Sequence, residues 1–443
     1  MSEDFDLILK NGTALLPGYT GAADIGVRSG RIAAIGDVGG KAAEVIDCKG
    51  LHILPGVIDT QVHFREPGNT HKEDLHTGTM AAAAGGVTAI FEMPNTNPLT
   101  TTPEAMADKM KRAQGRSFVD YAFYMGGTAE NGAKLAEWEN LPGVCGIKIF
   151  MGASTGALLS ATDAEVDAVL RGGKRVVAVH AEDEMMMNEN KKTILGDSHD
   201  VRMHPKWRSA ESCLSATTRV LRLARAAGRR VHVLHITTRE EMELLAQHRD
   251  IASVEVLPNH LTLSAPECYE RLGTLAQQNP PIREKEHQDA LWQAVREGVV
   301  DIIGSDHAPH TLEEKAKDYP GTPSGTPGVQ TLVPIMLNHV DEGRLTLERF
   351  VDMVCEGPHR IHGIAGKGRI TRGFDADFTI VDMKGRHTIT NAEQKTRCGW
   401  TPFDGMKVTG WPVMTIIRGR TVMKDGAVFE GPSGAPVRFR EAL

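Results

Sequence analysis

Eight short apolar segments near residues 57–63, 87–92, 118–124, 144–150, 175–180, 231–236, 253–257 and 299–305 constrain this chain more than any other feature. Helical stretches fall between them, among them "HKEDLHTGTMAAAAGG", "TDAEVDAVLRGG", "LSATTRVLRLARAAGRR" and "REEMELLAQHRD". A strand that alternates with a helical crossover must pair parallel with the next strand, and eight such units are the count that closes a barrel. The expected class is therefore α/β, a (β/α)8 TIM-like barrel. The longer gap between 180 and 231 leaves room for an inserted loop, and residues 307–328 read as a Gly/Pro-rich loop after the last strand.

The two ends have a different texture. "FDLILKNGTALL", "AADIGVRSGRIAAIG" and "AEVIDCKGLHILPG" near the start alternate apolar and polar residues broken by NG, SG and KG, which are hairpin signals, and the same texture returns near the end in "GFDADFTIVDM" and "MTIIRGRTVMKDGAVFEG". We expect one small β-sandwich domain built from both ends, residues 1–53 with 367–443, around a barrel of residues 54–366. A chain of 443 residues suits that division. A net charge of -7 leaves no basic footprint for nucleic acid. The six cysteines are scattered without a CxxC pair, which argues against a disulfide framework and for a reducing, cytoplasmic setting. No run approaches the ~20 apolar residues of a membrane span, and "MSEDFDLILKNG" does not read as a signal peptide.

In such a barrel the chemistry gathers at the C-terminal ends of the strands. The first strand ends in "GVIDTQVHFREPG", carrying Asp59, Gln61, His63 and Arg65; alternation places Asp59, Gln61 and His63 on one face. "MPNTNP" after the second strand holds Asn95, and "GIKIFMGASTG" in the fourth holds Lys148. The fifth ends at His180 in "VHAED" and the sixth at His235 in "LHITT". The eighth runs into "SDHAPH", with Asp306 and His310. Each residue alone is ordinary, since a strand-end histidine is more often a satisfied loop or core residue. Together they collect nearly every polar exception at one barrel mouth. Imidazoles and a carboxylate suit a hydrolytic zinc site with an open water position. Lys148 is no ligand as an ammonium, but burial favours the neutral amine. A neutral amine captures carbon dioxide to give a carbamate whose oxygens can bridge two metals.

At these residues the chain resembles the amidohydrolase superfamily, and within it the cyclic amidohydrolases, the dihydroorotases most of all. The resemblance rests on "PGVIDTQVHFREPG", "GGVTAIFEMPNTNP", "IKIFMGASTG", "VHAED", "LHITT", "NPPIR", "SDHAPH", "SGTPGVQT" and "GFDADFTIVD", which span nearly the whole chain. It implies zinc-dependent, reversible hydrolysis of dihydroorotate to N-carbamoyl-L-aspartate in pyrimidine biosynthesis. It implies that His63, Lys148, His180, His235 and Asp306 hold the metal, with carboxylated Lys148 bridging two zinc ions. Asp306 would take the proton of the attacking water and pass it to the leaving nitrogen. Arg65, Asn95 and His310 would bind the substrate carboxylate, and Asn279 in "NPPIR" would contact the ring. A homodimer or homotetramer is the assembly it implies.

Gln61 departs from the pattern, because most members of the family carry histidine there and an amide is a poor zinc ligand. Gln61 could coordinate through its carbonyl oxygen or stand aside for water; the site could hold one zinc ion; or the chain could be a catalytically silent partner protein. Retention of the other ligands and of the anion binders favours an active enzyme. The alternatives in substrate are a hydantoin or dihydropyrimidine, which need no anion clamp, and allantoin. Other features read as structural. Gly85 or Gly86 ends a helix, the methionines of "EMMMNENKK" pack within the long loop, and His232 faces away from His235.

Overall fold

In the computed structural model, which describes residues 5–154 and 158–440, the eight apolar segments are eight parallel strands joined in chain order. They are β1 (Val57–Val62), β2 (Val87–Glu92), β3 (Asp120–Gly126), β4 (Val144–Phe150), β5 (Val177–His180), β6 (Val231–Val233), β7 (Ala252–Val256) and β8 (Ile302–Ile303). Every residue of these strands is buried, which explains their near-continuous apolar character. Ala89, Phe91, Ala122 and Tyr124 face the barrel interior. Residues of the opposite phase, such as Ile90, Tyr121 and Phe123, pack under the helices.

The eighth strand is much shorter than 299–305. Gly304 passes so close to Glu255 that an added Cβ would lie 2.8 Å from its carboxylate. The next amide, Ser305 N, donates to the side chain of Asp59 (3.0 Å) instead of to a neighbouring strand. The seam between β8 and β1 is closed by that carboxylate and by a main-chain bond from His63 N to His307 O (2.7 Å).

The helices begin where the sequence supplies caps. Asp74 accepts from Thr77 N ahead of Leu75–Ala84, Thr162 and Glu165 form a capping box ahead of Asp163–Leu170, and Thr238 caps Arg239–Ala246. Ala210–Ala227 stops at Gly228, whose left-handed backbone suits glycine. Leu75–Ala84 does end at Gly85, with the positive-φ residue Gly86 following. The "EMMMNENKK" stretch differs from expectation: Glu184–Asn190 is a helix capped by Asp183, not loop. Only Met187 of its three methionines is buried, while Met185 is 81 % exposed. The final residues of "GASTG", 155 and 156, lie outside the described residues.

Both ends of the chain build the remaining sheets. Arg31–Gly36, Asp24–Arg28, Phe5–Lys10 and Ala42–Asp47 make a four-stranded sheet. A seven-stranded sheet joins Tyr19–Ala22, Thr13–Leu16 and His52–Pro55 to Phe378–Thr388, Lys407–Ile417, Arg420–Lys424 and Ala427–Val428. The antiparallel pairing of His52–Pro55 with Phe378–Thr388 knits the two ends together. Leu7, Leu9, Ile25, Val27, Ile53, Phe378 and Ile416 share the core between these sheets. The tail then returns to the barrel, where Ala435 and Val437 bond to the main chain of Tyr121 and Phe439 packs edge-on to Phe91. Among the described residues, no helix is long and apolar enough to cross a membrane.

Candidate active site

The strand ends converge on a pocket lined by Gln61, His63, Arg65, Asn95, Phe150, Ser154, His180, His235, Asn279, Asp306, Ala308, Ser324 and Gly325. Arg65 (φ 60°), His235 (φ 39°) and Asp306 (φ 44°) each turn the chain through the left-handed region. Non-glycine residues pay roughly 1–3 kcal/mol for such backbone, and it recurs where a side chain must be aimed. The strands thus end in turns that swing these groups into the pocket.

Lys148, on β4, is 1 % exposed, and its Nζ has no hydrogen-bond partner. Burial draws its pKa down to about 7, partly opposed by Asp306 and Glu255, so the neutral amine is within reach near physiological pH. Two pairs of side chains flank it. On one side His63 Nε2 lies 3.1 Å from Asp306 Oδ1. On the other, His180 Nδ1 faces His235 Nε2 at 3.0 Å. Burial lowers the pKa of all three histidines, and His235 is lowered further by His180. The imidazoles are therefore neutral and keep a lone pair to offer.

Neighbours decide which nitrogen offers it. His63 Nδ1 donates to Asn95 Oδ1 (2.7 Å), which leaves Nε2 bare beside Asp306. Glu182 lies behind His180, its Oε2 2.9 Å from Nε2, and Arg208 clamps the same carboxylate. Burial alone would raise the Glu182 pKa, but Arg208 and His180 outweigh it and hold the carboxyl well below its usual range. The carboxylate draws the His180 proton to Nε2 and frees Nδ1, the arrangement by which an outer carboxylate orients a metal-ligating histidine. Arg208 also donates to Ala153 O (3.0 Å), tying the clamp to the chain that follows β4.

These donors fit a metal. Among the described residues no group of three His, Cys, Asp or Glu side chains is arranged to chelate an ion. Each flanking pair supplies two donors, and the adjoining groups are Lys148 and Gln61. Gln61 is 1 % exposed with Oε1 unpartnered, so its carbonyl is uncommitted. Asp59 does not line the pocket; its Oδ1 accepts from Gln61 N (3.2 Å) and Ser305 N at the barrel seam. His232 does not line the pocket; it lies lower in the barrel, its Nδ1 2.9 Å from Ser253 Oγ and its Nε2 3.5 Å from Glu255.

At the other end of the pocket, Arg65 is 5 % exposed and donates to Pro309 O (3.2 Å). Its chain neighbour Glu66 is engaged by Arg116 (2.7 Å) instead. His310 lies against the guanidinium, Nε2 3.2 Å from Nη2, but in the wall behind the lining residues. Lys72 donates to His310 Nδ1 (3.1 Å), so the ring proton rests on Nε2 and points to Ser324 O (3.0 Å). Asn279 reaches the pocket held by His204 (3.0 Å) and Ser154 (3.3 Å). Sequence reading missed Glu182, Arg208, Phe150, Ser154, Ser324 and Gly325. "VHAED" did carry a signal for the first of these, a carboxylate two residues beyond a candidate ligand.

Residues 52–422 match the sequence model of the amidohydrolase family. The chain is 36% identical to a dihydroorotase of Methanothermobacter thermautotrophicus, over 92% of each chain. It is also 36% identical to an allantoinase of Rubrobacter xylanophilus, over 98% of each. Among solved structures it resembles the L-hydantoinase (dihydropyrimidinase) of Arthrobacter aurescens, with a TM-score of 0.94 at 33% identity, covering 98% of this chain and 100% of that one.

Proposed function

Because the chain belongs to the amidohydrolase family, we propose that it is a metal-dependent hydrolase that opens dihydroorotate reversibly to N-carbamoyl-L-aspartate. The observation that carries the substrate is Arg65, a buried guanidinium on the pocket wall whose adjacent carboxylate is engaged elsewhere. Dihydroorotate brings a ring carboxylate to meet that charge, and a guanidinium fork is the natural partner for it. Asn95 completes the anion-binding end, His310 backs the Arg65 guanidinium from behind the wall, and Asn279 faces the ring.

Zinc is the metal this donor set suits. His180 and His235 would hold it on one side and His63 and Asp306 on the other, and Lys148, carboxylated, would supply oxygen ligands. When bound, the metal acts as Lewis acid on the ring amide carbonyl and lowers the pKa of the attacking water. Asp306 accepts the proton as the water oxygen bonds to carbon, then delivers it to the ring nitrogen as the carbon–nitrogen bond breaks. Gln61 makes the two sides unequal: the paired imidazoles form the tighter position and the His63–Asp306 side the weaker. Replacing Gln61 by His raises the metal retained per chain if that weaker position is short of a ligand.

A second reading, hydrolysis of allantoin or a hydantoin, is favoured by the likeness to the Rubrobacter allantoinase and the Arthrobacter hydantoinase. The purified protein, supplied with zinc and bicarbonate, is assayed in parallel on dihydroorotate, hydantoin and allantoin. Turnover of dihydroorotate alone supports the proposal. Turnover of an uncharged ring in its place means that Arg65 serves another purpose.

A further inference from the structure

Lys315 ends the short helix Leu312–Lys315 in the loop after β8 and is 1 % exposed. Its Nζ donates to three main-chain carbonyls: Gln277 (3.1 Å), Pro323 (3.0 Å) and Gly325 (3.2 Å). Burial draws its pKa down to about 7. The three acceptors favour the ammonium, which has a proton for each of them. Among the described residues no carboxylate pairs with Lys315, so the contact is a fastening of backbone rather than an ion pair.

The carbonyls come from two loops that enter from different strands, one after β7 and one after β8. The same loops are stitched by Gly325 N to Gln277 O (2.9 Å) and by Gln277 Nε2 to Thr322 O (3.1 Å) and Ser324 Oγ (3.0 Å). They deliver Asn279, Ser324 and Gly325 to the pocket. Pro323 and Gly325 bracket Ser324, whose carbonyl receives the His310 proton, and His310 lies against Arg65. At Gly325 a Cβ would fall 2.3 Å from Ala308 O, so this loop seats tightly on the segment after β8 that carries Asp306.

We infer that Lys315 is the positioning residue for the substrate-binding end of the pocket, fastening the 274–279 and 322–326 loops so that Ser324, His310 and Arg65 hold one arrangement. It acts through backbone and touches none of the residues proposed to hold metal. The inference rests on the reading that this end of the pocket receives the substrate's polar groups.

The test uses Lys315→Met, which keeps bulk and loses all donors, and Lys315→Gln, which restores some. KM is measured on whichever cyclic amide the wild-type enzyme turns over. In the Met variant KM rises at least tenfold while kcat stays within a few-fold and bound zinc is unchanged; the Gln variant falls between. Amide hydrogen exchange gives a second readout that needs no substrate: the Gly325 and Ala308 amides exchange at least tenfold faster in the Met variant, while β4 and β5 keep wild-type protection. If that variant does not accumulate folded, Lys315→Gln, which loses part of the donor set, is read the same way. Unchanged exchange at Gly325, or loss of kcat and zinc with KM unaltered, overturns the inference. Failure of the dihydroorotate reading would appear in the wild-type assay alone and leave the exchange result standing.

Discussion

The two ends of the barrel both bury charge, and they treat it differently. At the N-terminal end, Asp120 opens β3 at 1 % exposure and accepts from Arg418 and from Ala435 N (2.8 Å). Lys367 pairs there with Asp120 (2.5 Å), Asp377 (2.5 Å) and Asp375 (3.2 Å), and Arg438 with Asp375 (3.0 Å). At the C-terminal mouth, Lys148 Nζ, Gln61 Oε1 and His235 Nδ1 are buried without a hydrogen-bond partner. Leaving a buried polar group unmade costs about 1–3 kcal/mol, so folded chains rarely tolerate a cluster of them without a use. The paired end joins the sandwich sheets and the returning tail to the barrel. On the proposed reading, the unpaired end is where metal and substrate would bind.

The largest expected effect comes from exchanging the two buried lysines for methionine. Lys148→Met lowers kcat by at least about 10³-fold, since it removes the centre of the ligand set, yet leaves the thermal midpoint unchanged or higher because that amine has no hydrogen-bond partner to lose, and methionine can still pack on the Phe150 ring. Lys367→Met does the reverse: it leaves the buried Asp377 without a side-chain cation, takes one from Asp120 and Asp375, and costs about 3–5 kcal/mol of stability by denaturant titration, while the folded fraction keeps wild-type kcat. If both variants lose stability alike, the contrast between the ends is wrong.

Arg65→Met comes next. It raises KM for dihydroorotate roughly 10–100-fold, the value of about 1.5–3 kcal/mol for one charged hydrogen-bonding partner, with much less effect on hydantoin. Glu241 gives the smallest effect and an intermediate case, a buried carboxyl served by the Thr217 (2.7 Å) and Thr238 (2.9 Å) hydroxyls. Burial raises its pKa to about 7 against the opposing pull of those hydroxyls. A raised folded-state pKa means that its contribution is full below the unfolded value near 4.5 and is lost as pH climbs through 7. The wild type therefore weakens across that window, and Glu241→Gln flattens the decline by about 1–2 kcal/mol, measured by denaturant titration at pH 5 and 7.5.

The mouth was more legible in the sequence than the paired end. Periodicity located all eight strands because parallel strands are buried on both faces, and His63, Lys148, His180, His235 and Asp306 stood out as polar breaks in those runs. The shortening of β8 was hidden because it depends on the Asp59 side chain taking an amide 246 residues away. Arg208 was hidden for the same reason, since its partner Glu182 is 26 positions distant and neither interrupts a strand. Lys315 sits in a "LEEK" run that reads as a solvated face, and only the folded loops show its burial. The helix at Glu184–Asn190 lacks an apolar stripe, with Met185 exposed and Met187 buried, so no period marked it. His310 was singled out as an anion binder, and its place behind the wall, fixed by Lys72 and Ser324, was one that no motif pointed to.

The most direct test counts zinc per chain in wild-type protein and in Lys148→Met after reconstitution with zinc and bicarbonate and removal of loosely bound metal. The account predicts at least one retained zinc in the wild type and loss of metal in the variant, with both proteins folded. Equal zinc in the two, or none in either, would contradict the claim that the unpartnered atoms at the barrel mouth are a metal-ligand set.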